Sequence, residues 1–245
     1  MRNIKLIIEY EGTAYSGWQS QNDVIGIQEV IETAIKKTTG EKVKLIGSGR
    51  TDAGVHAKGQ VANFYTKSSI PGSRMKIPLN INLPDDIKII ESEEVDLDFH
   101  SRFSARKKRY RYIIYNGKIP RPSYRNFSYH VTRDLDIDEM RKASKYFVGE
   151  KDFKSFMGRG AVVHTTVKKL YSIDIIEKDE FIEIVVEGKS FLKNMIRIIV
   201  GTLVFVGIGR IKSKDVEKII EGRNRSLAGP TAPAHGLFLE KVYYD

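Results

Sequence analysis

What most limits the fold of this chain is the order in which its hydrophobic period changes. Ile4 to Tyr10 alternates, as a strand with one buried face must. Residues 24–38 carry Ile27, Val30, Ile31, Ala34 and Ile35 at helical spacing, and Gly40 follows as a stop signal. Lys42 to Ile46 reads as a short strand and Val61 to Tyr65 as another. Residues 73–82 read as a weak helix that Pro78 opposes, and Ile87 to Val95 as a further strand. That order is β-α-β-β-α-β, and the second half repeats it with insertions. Tyr110 to Tyr115 is a strand and residues 137–147 a helix. Val167 to Ile176 and Phe181 to Glu187 are strands around the turn at Lys178-Asp179. Phe191 to Val206 is an apolar helix, Asp215 to Ile220 a small one, and Leu237 to Tyr243 the last strand. The expected fold class is α+β: two tandem ferredoxin-like (βαββαβ) halves, residues 1–104 and 105–245. Their antiparallel sheets are expected to pair into one extended sheet with a central cleft, a common place for a site.

Charge suggests what the cleft would hold. The 245 residues carry 41 Lys plus Arg against 31 Asp plus Glu, a formal charge of +10. Such an excess favours a polyanionic partner, because each phosphate contact releases counterions. With no cysteine in the chain, disulfides, thiolate metal sites and cysteine nucleophiles are excluded. The first residues run directly into a strand pattern with no signal-peptide core. The longest apolar stretch, Phe191 to Ile208, is interrupted by Lys193, Asn194 and Arg197, which favours a buried helix over a membrane span. A cytoplasmic protein is expected.

The most unusual segment is Gly47-Ser-Gly-Arg-Thr-Asp-Ala-Gly54, continued by His56 and Gly59. Glycine at this density signals tight turns or close backbone approach to a ligand. The loop lacks the Gly-Lys-Ser/Thr ending of a phosphate-binding Walker loop. Thr51-Asp-Ala-Gly54 also fits a plain turn in which Asp52 caps its own backbone, and on these letters alone the turn is the better reading. Arg50, two residues before Asp52, shifts the balance. A nearby guanidinium favours the carboxylate form, which suits a nucleophile or base better than an acid.

Two further segments carry chemistry. In Ser104-Ala-Arg-Lys-Lys-Arg-Tyr-Arg-Tyr112, a basic run of Arg106, Lys107, Lys108, Arg109 and Arg111 passes into alternation. On a strand, Tyr110 and Tyr112 share one face and Arg109 and Arg111 the other, an aromatic platform beside a phosphate-contact stripe. The plainer alternative makes the tyrosines core, Tyr112 before Tyr110. In Lys193-Asn-Met-Ile-Arg197 the two cations stand four apart, on one face of an otherwise apolar helix. A buried cation there needs a carboxylate, and Asp52 is a candidate. His56, His100, His130, His164 and His235 are scattered without metal-ligand spacing, so no metal is expected.

These segments together resemble the tRNA pseudouridine synthase A (TruA) family. The resemblance runs through Tyr10-Glu-Gly-Thr-Ala-Tyr-Ser-Gly-Trp-Gln-Ser-Gln21, the loop at 47–57, Phe99-His-Ser-Arg-Phe-Ser-Ala105, Tyr110-Arg-Tyr112, Phe191 to Arg197, and Ala232-Pro-Ala-His-Gly-Leu237. It implies isomerisation of uridine to pseudouridine at positions 38, 39 and 40 in the anticodon stem and loop of tRNA, by a homodimer without cofactor. It implies Asp52 as the nucleophile, Tyr110 stacked on the target uracil, Arg197 paired with Asp52, and Arg50 holding the flipped nucleotide. Whether the carboxylate attacks the sugar or the ring, or removes a sugar proton, stays open. Two other functions compete. The same β-α-β-β-α-β unit is the layout of an RRM-like, non-catalytic RNA-binding protein, although the RNP1 pattern is missing. A metal-dependent nuclease would need clustered carboxylates or histidines, and only Asp52 stands out.

Overall fold

The computed structural model describes residues 1–20 and 24–244, so Gln21 of the Tyr10–Gln21 segment lies outside the described residues. The protein is a mixed α+β structure built of two compact units. One contains Met1–Arg106 together with Phe238–Asp245, the other Lys107–Leu237. Sequence periodicity puts the division at 104/105 and leaves the last strand with the second half. In the structure the chain returns to its first unit to end.

In the first unit, β1 (Arg2–Tyr10) is followed by α1 (Ile27–Thr39), β2 (Ile46–Gly47), β3 (His56–Thr66), α2 (Lys76–Ile81) and β4 (Ile87–Val95). β1 lies between β4 and β3, antiparallel to both, and β2 pairs with β3. Ile4, Leu6, Ile8 and Tyr10 are buried along β1, as are Ile27, Ile31, Ala34 and Ile35 of α1. Each such isoleucine or leucine contributes about 1.5–3 kcal/mol by leaving water. Gly40 ends α1 in the left-handed conformation, its N–H bonded to the Lys36 carbonyl.

Two local expectations change. The strand expected over Lys42–Ile46 shrinks to Ile46–Gly47 because helix side chains take the backbone groups of Leu45. Its N–H donates to Glu32 Oε1 at 2.9 Å and its carbonyl accepts from Gln28 Nε2 at 3.2 Å. The helix that Pro78 opposes does form, because Pro78 sits in its first turn, where no intrahelical N–H is required.

In the second unit, β5 (Lys107–Tyr115) leads to β6 (Tyr129–His130), α3 (Ile137–Ser144), β7 (Gly149–Asp152), β8 (Val167–Lys178), β9 (Phe181–Gly188), α4 (Met195–Gly207) and α5 (Asp215–Glu221). The antiparallel order is β5-β9-β8-β7, and β6 runs parallel to β5. Asp136 caps α3 by accepting from the Glu139 N–H. Asp179 makes the β8–β9 turn at φ 53°. α4 is apolar nearly all round because both its faces are buried. No helix among the described residues is long and apolar enough to cross a membrane. α4 begins at Met195, so Lys193 lies ahead of it on a bend and does not share a helical face with Arg197; Asn194, at φ 59°, turns the chain between them. The last strand, β10 (Leu237–Tyr243), runs parallel to β3, with Phe238 opposite His56 and Leu239 opposite Ala57.

Candidate active site

The loop around Asp52 joins β2 to β3 and is fixed along both limbs. On the first, the Ser48 N–H donates to the Val61 carbonyl at 2.7 Å and the Ser48 hydroxyl to Gln60 Oε1 at 2.7 Å. Gln60, fully buried, returns a bond from Nε2 to the Gly49 carbonyl. Thr51 is held twice: its hydroxyl bonds the Tyr10 hydroxyl at 2.8 Å, and its carbonyl accepts from the Trp18 N–H. The turn itself closes through the backbone, Val55 N–H to the Asp52 carbonyl at 3.1 Å, with Gly54 at φ 76°. The Asp52 carbonyl is thus the acceptor that closes the turn. Asp52 is half-buried, and Arg50 is exposed.

A strap formed by residues 10–19 lies against this loop. A Cβ on Gly12 would sit 2.1 Å from the Val55 carbonyl oxygen, and one on Gly17 would sit 2.4 Å from that of Thr51. Trp18 fills the space that Gly47 leaves open. His56 is buried, stacks on Phe238 at 4.8 Å, and accepts the Gly12 N–H at Nδ1. That nitrogen therefore anchors the strap. Burial pushes the Tyr10 hydroxyl well above its ordinary pKa, against the hydrogen bonds to Thr51 and Gln60, so it stays a neutral strut at physiological pH.

The second unit brings Tyr112, Arg197 and His235 together at the 232–236 segment, and Tyr110 precedes Tyr112 by two residues on β5. Tyr110, 8% exposed, lies opposite Val186 and meets the Phe191 ring edge-on at 5.1 Å. Tyr112 is wholly buried, and its hydroxyl donates to the Pro233 carbonyl at 2.8 Å. Arg197 is clamped to the 232–236 segment. Its Nε donates to the Ala232 carbonyl at 2.7 Å while its own carbonyl accepts the Ala232 N–H at 3.0 Å. Nη1 reaches Asn194 Oδ1 at 3.3 Å. Burial, and then the positive charge of Arg197, hold His235 below the usual imidazole range, against a hydrogen bond that His235 donates to the Ser128 backbone. Asp52 is in the first unit and Tyr110 and Arg197 in the second.

The basic run is less free than its letters suggest. Lys107 and Arg109 both reach Glu187, each at 2.7 Å, and Arg111 pairs with Glu183. Glu187 stays ionised against the opposing effect of burial, because Lys107 and Arg109 bond to it and hold its carboxyl below the ordinary range. Glu183 and Glu187 stand at even spacing on β9, a period-2 signal that reading the basic run alone passed over. Gly12, Gly17, Trp18 and Gln60 were likewise missed as the supports of the loop; the glycine pair in residues 12–17 was their only signal. Among the described residues, no three of His, Cys, Asp and Glu come together as a metal ion would need.

A glycine-clamped loop carries Asp52 in this basic α+β chain, and sequence comparison specifies the family. The sequence model described as tRNA pseudouridine synthase matches residues 6–104 and 143–245, and the chain belongs to that family, whose members isomerise uridine to pseudouridine in tRNA. It is 52% identical over 244 residues to a tRNA pseudouridine synthase A of Acetivibrio thermocellus, with all of both chains covered. It is 49% identical to one of Ruminiclostridium cellulolyticum and 47% to one of a Thermoanaerobacter species, again over 100% of each chain. Arg50, Asp52 and Arg197 fall inside the matched ranges; Tyr110 and the basic run fall between them. Among solved structures, a Cbf5-Nop10-Gar1 complex aligns with 82% of this chain and 45% of that one at 16% identity and a TM-score of 0.39, too slight a likeness to define the fold.

Proposed function

We propose that Asp52 is the nucleophilic carboxylate that converts uridine to pseudouridine at positions 38, 39 and 40 of tRNA. What carries the reading is the loop geometry: the backbone of Asp52 is fixed by neighbours on both sides, so the fold sets where its carboxylate stands. A preorganised nucleophile needs that arrangement. In the isomerisation the N1–C1′ glycosidic bond breaks, the uracil turns, and a C5–C1′ bond forms. C5 then loses its proton and N1 gains one, so no redox partner or group donor is required. The target base must first leave the stack, at a cost of about a few kcal/mol.

In this reading Tyr110 stacks on the flipped uracil, Arg197 supplies the cation for Asp52, and Arg50 holds the nucleotide. The run Arg106, Lys107, Lys108, Arg109 and Arg111 contacts the RNA backbone, with three of its charges already shared with Glu183 and Glu187. The two units are ferredoxin-like halves. The first supports this through its β4-β1-β3 order with β2 on β3, the second through β5-β9-β8. The working form is a cytoplasmic homodimer.

Tritium release from tRNA labelled at uracil C5 tests the assignment. Asp52→Ala is expected to lower turnover at least about 10⁴-fold while tRNA affinity stays near wild type. Appreciable turnover by that variant would end the claim for Asp52.

A further inference from the structure

Away from the run at 106–111, two arginines of the second unit stand together without an acid. Arg159 follows Gly158 in Phe156-Met-Gly-Arg159, and Arg225 opens the short turn Arg225–Leu227. The turn Lys154–Phe156, which leads to Arg159, packs against Arg225–Leu227. Arg225 is half-buried, and its guanidinium is tied down by neutral acceptors. Nη1 donates to the carbonyls of Ala228 (3.3 Å) and Gly229 (2.9 Å), and Nη2 to Thr231 Oγ1 (3.1 Å). A guanidinium has five N–H groups, so two donors and the whole charge are left over. Among the described residues, no carboxylate lies within ion-pair distance of Arg225 or of the exposed Arg159. Arg223, two residues away, does have one: Asp152 at 3.0 Å. Burial, and then the charge of Arg159, push the Arg225 pKa down, as expected when two cations crowd each other.

The position of Arg225 is fixed relative to Arg197. Gly229 N–H donates to Thr202 Oγ1 at 2.9 Å, and Gly201 and Gly229 let the strap at 228–232 lie directly on α4. A Cβ on Gly201 would fall 1.8 Å from the Pro230 carbonyl oxygen. One rigid strap thus carries Arg225 at one end and, at the other, the Ala232 carbonyl that orients Arg197. On the Phe156–Arg159 side, Gly158 N–H donates to the Lys193 carbonyl at 2.8 Å, just ahead of α4.

A half-buried cation beside a like charge costs the free protein stability, and an anion would relieve it. We propose that Arg159 and Arg225 together bind a phosphodiester of the substrate RNA, neighbouring the nucleotide that reacts beside Arg197. The planar fork of Arg suits phosphate oxygens, and the neutral tethers on Arg225 aim its remaining donors without spending its charge. This rests on the reading of Arg197 as the cation of the Asp52 site.

Arg159→Glu is the decisive variant, because it supplies the missing carboxylate beside Arg225. Affinity for unmodified tRNA, measured by anisotropy across a salt series, is expected to fall about 10-fold or more. The slope of log Kd against log salt should drop by about one or more. The melting temperature should hold or rise, since a repulsion has been replaced by an attraction. Arg159→Lys should keep most of the slope. Arg225→Gln should lower the slope as well, separating a phosphate contact from a tether; a fall in melting temperature alone, with the slope intact, would overturn the role of Arg225. Wild-type affinity and slope in Arg159→Glu would overturn the proposal outright. Turnover of Asp52→Ala reads the catalytic assignment separately, so failure of one leaves the other standing.

Discussion

Gly17 and Gly40 both have positive φ, at 98° and 75°, yet only Gly17 is crowded. Nothing lies within 4 Å of a Cβ on Gly40, so Gly40→Ala meets only the backbone penalty, about 1–2 kcal/mol. At Gly17 the same methyl would also press on the Thr51 carbonyl and the Asp52 backbone. Gly17→Ala is therefore expected to be the more destabilising in urea and to lower tritium release at least about 10-fold through displacement of Asp52, since small misplacements of a reacting group are costly. Gly40→Ala should lose stability with turnover unchanged. Equal turnover in the two variants would mean that the strap does not position the aspartate. Asp52 stood out in the sequence because glycine density is a local signal. Its supports did not, because Tyr10, Trp18 and Gln60 reach the loop across long separations that no spacing rule encodes. Arg197 was visible as a charge in an apolar run, but not its partner in that strap, the Ala232 carbonyl.

At the scale of elements, the pairing of β5 with β9 sets what the basic run can do. Arg109 lies directly opposite Glu187, and Lys107 reaches the same carboxylate. The folded-state pKa of Glu187 is lowered, so its contribution to stability is complete above the ordinary glutamate range and is lost as pH falls through the folded value. Glu187→Gln should destabilise the protein by about 1–3 kcal/mol at neutral pH, and the difference from wild type should shrink below about pH 4. The same variant tests the run as an RNA contact: with Lys107 and Arg109 released, the salt slope of tRNA binding should steepen by about one to two. An unchanged slope, where the wild-type slope is itself well short of the full charge, would assign the run to holding the sheet. Most strands and helices were legible here because period 2 and period 3.6 survive in single segments. The lost part of the 42–46 strand was not, because Glu32 and Gln28 on a neighbouring helix decided it.

The whole chain has two properties that no single element shows. One is its closure: Phe238–Asp245 returns to the unit of the first 106 residues, where Phe238 stacks on His56 and Tyr244 bonds the Ser101 carbonyl at 2.7 Å. Periodicity identified β10 as a strand, but its partner β3 lies far back in the chain, so its unit could not be read from order alone. The other property is the charge of +10. Composition counts every cation equally, whereas the structure divides them. Lys107, Arg109, Arg111 and Arg223 face carboxylates; Arg159 and Arg225 do not. Salt dependence should follow the second kind. For wild-type protein and tRNA, log Kd against log salt is expected to rise with a slope of about 3–5, near 0.7–0.9 per phosphate contacted and well short of what +10 would give if every excess charge met a phosphate. Filter binding between roughly 50 and 200 mM salt, a range over which counterion release is well resolved, measures it. A flat response would make the positive charge incidental to RNA binding. A slope near the full charge would mean that the glutamates of β9 yield their partners to the RNA, and Glu187→Gln would then leave that slope where it stands.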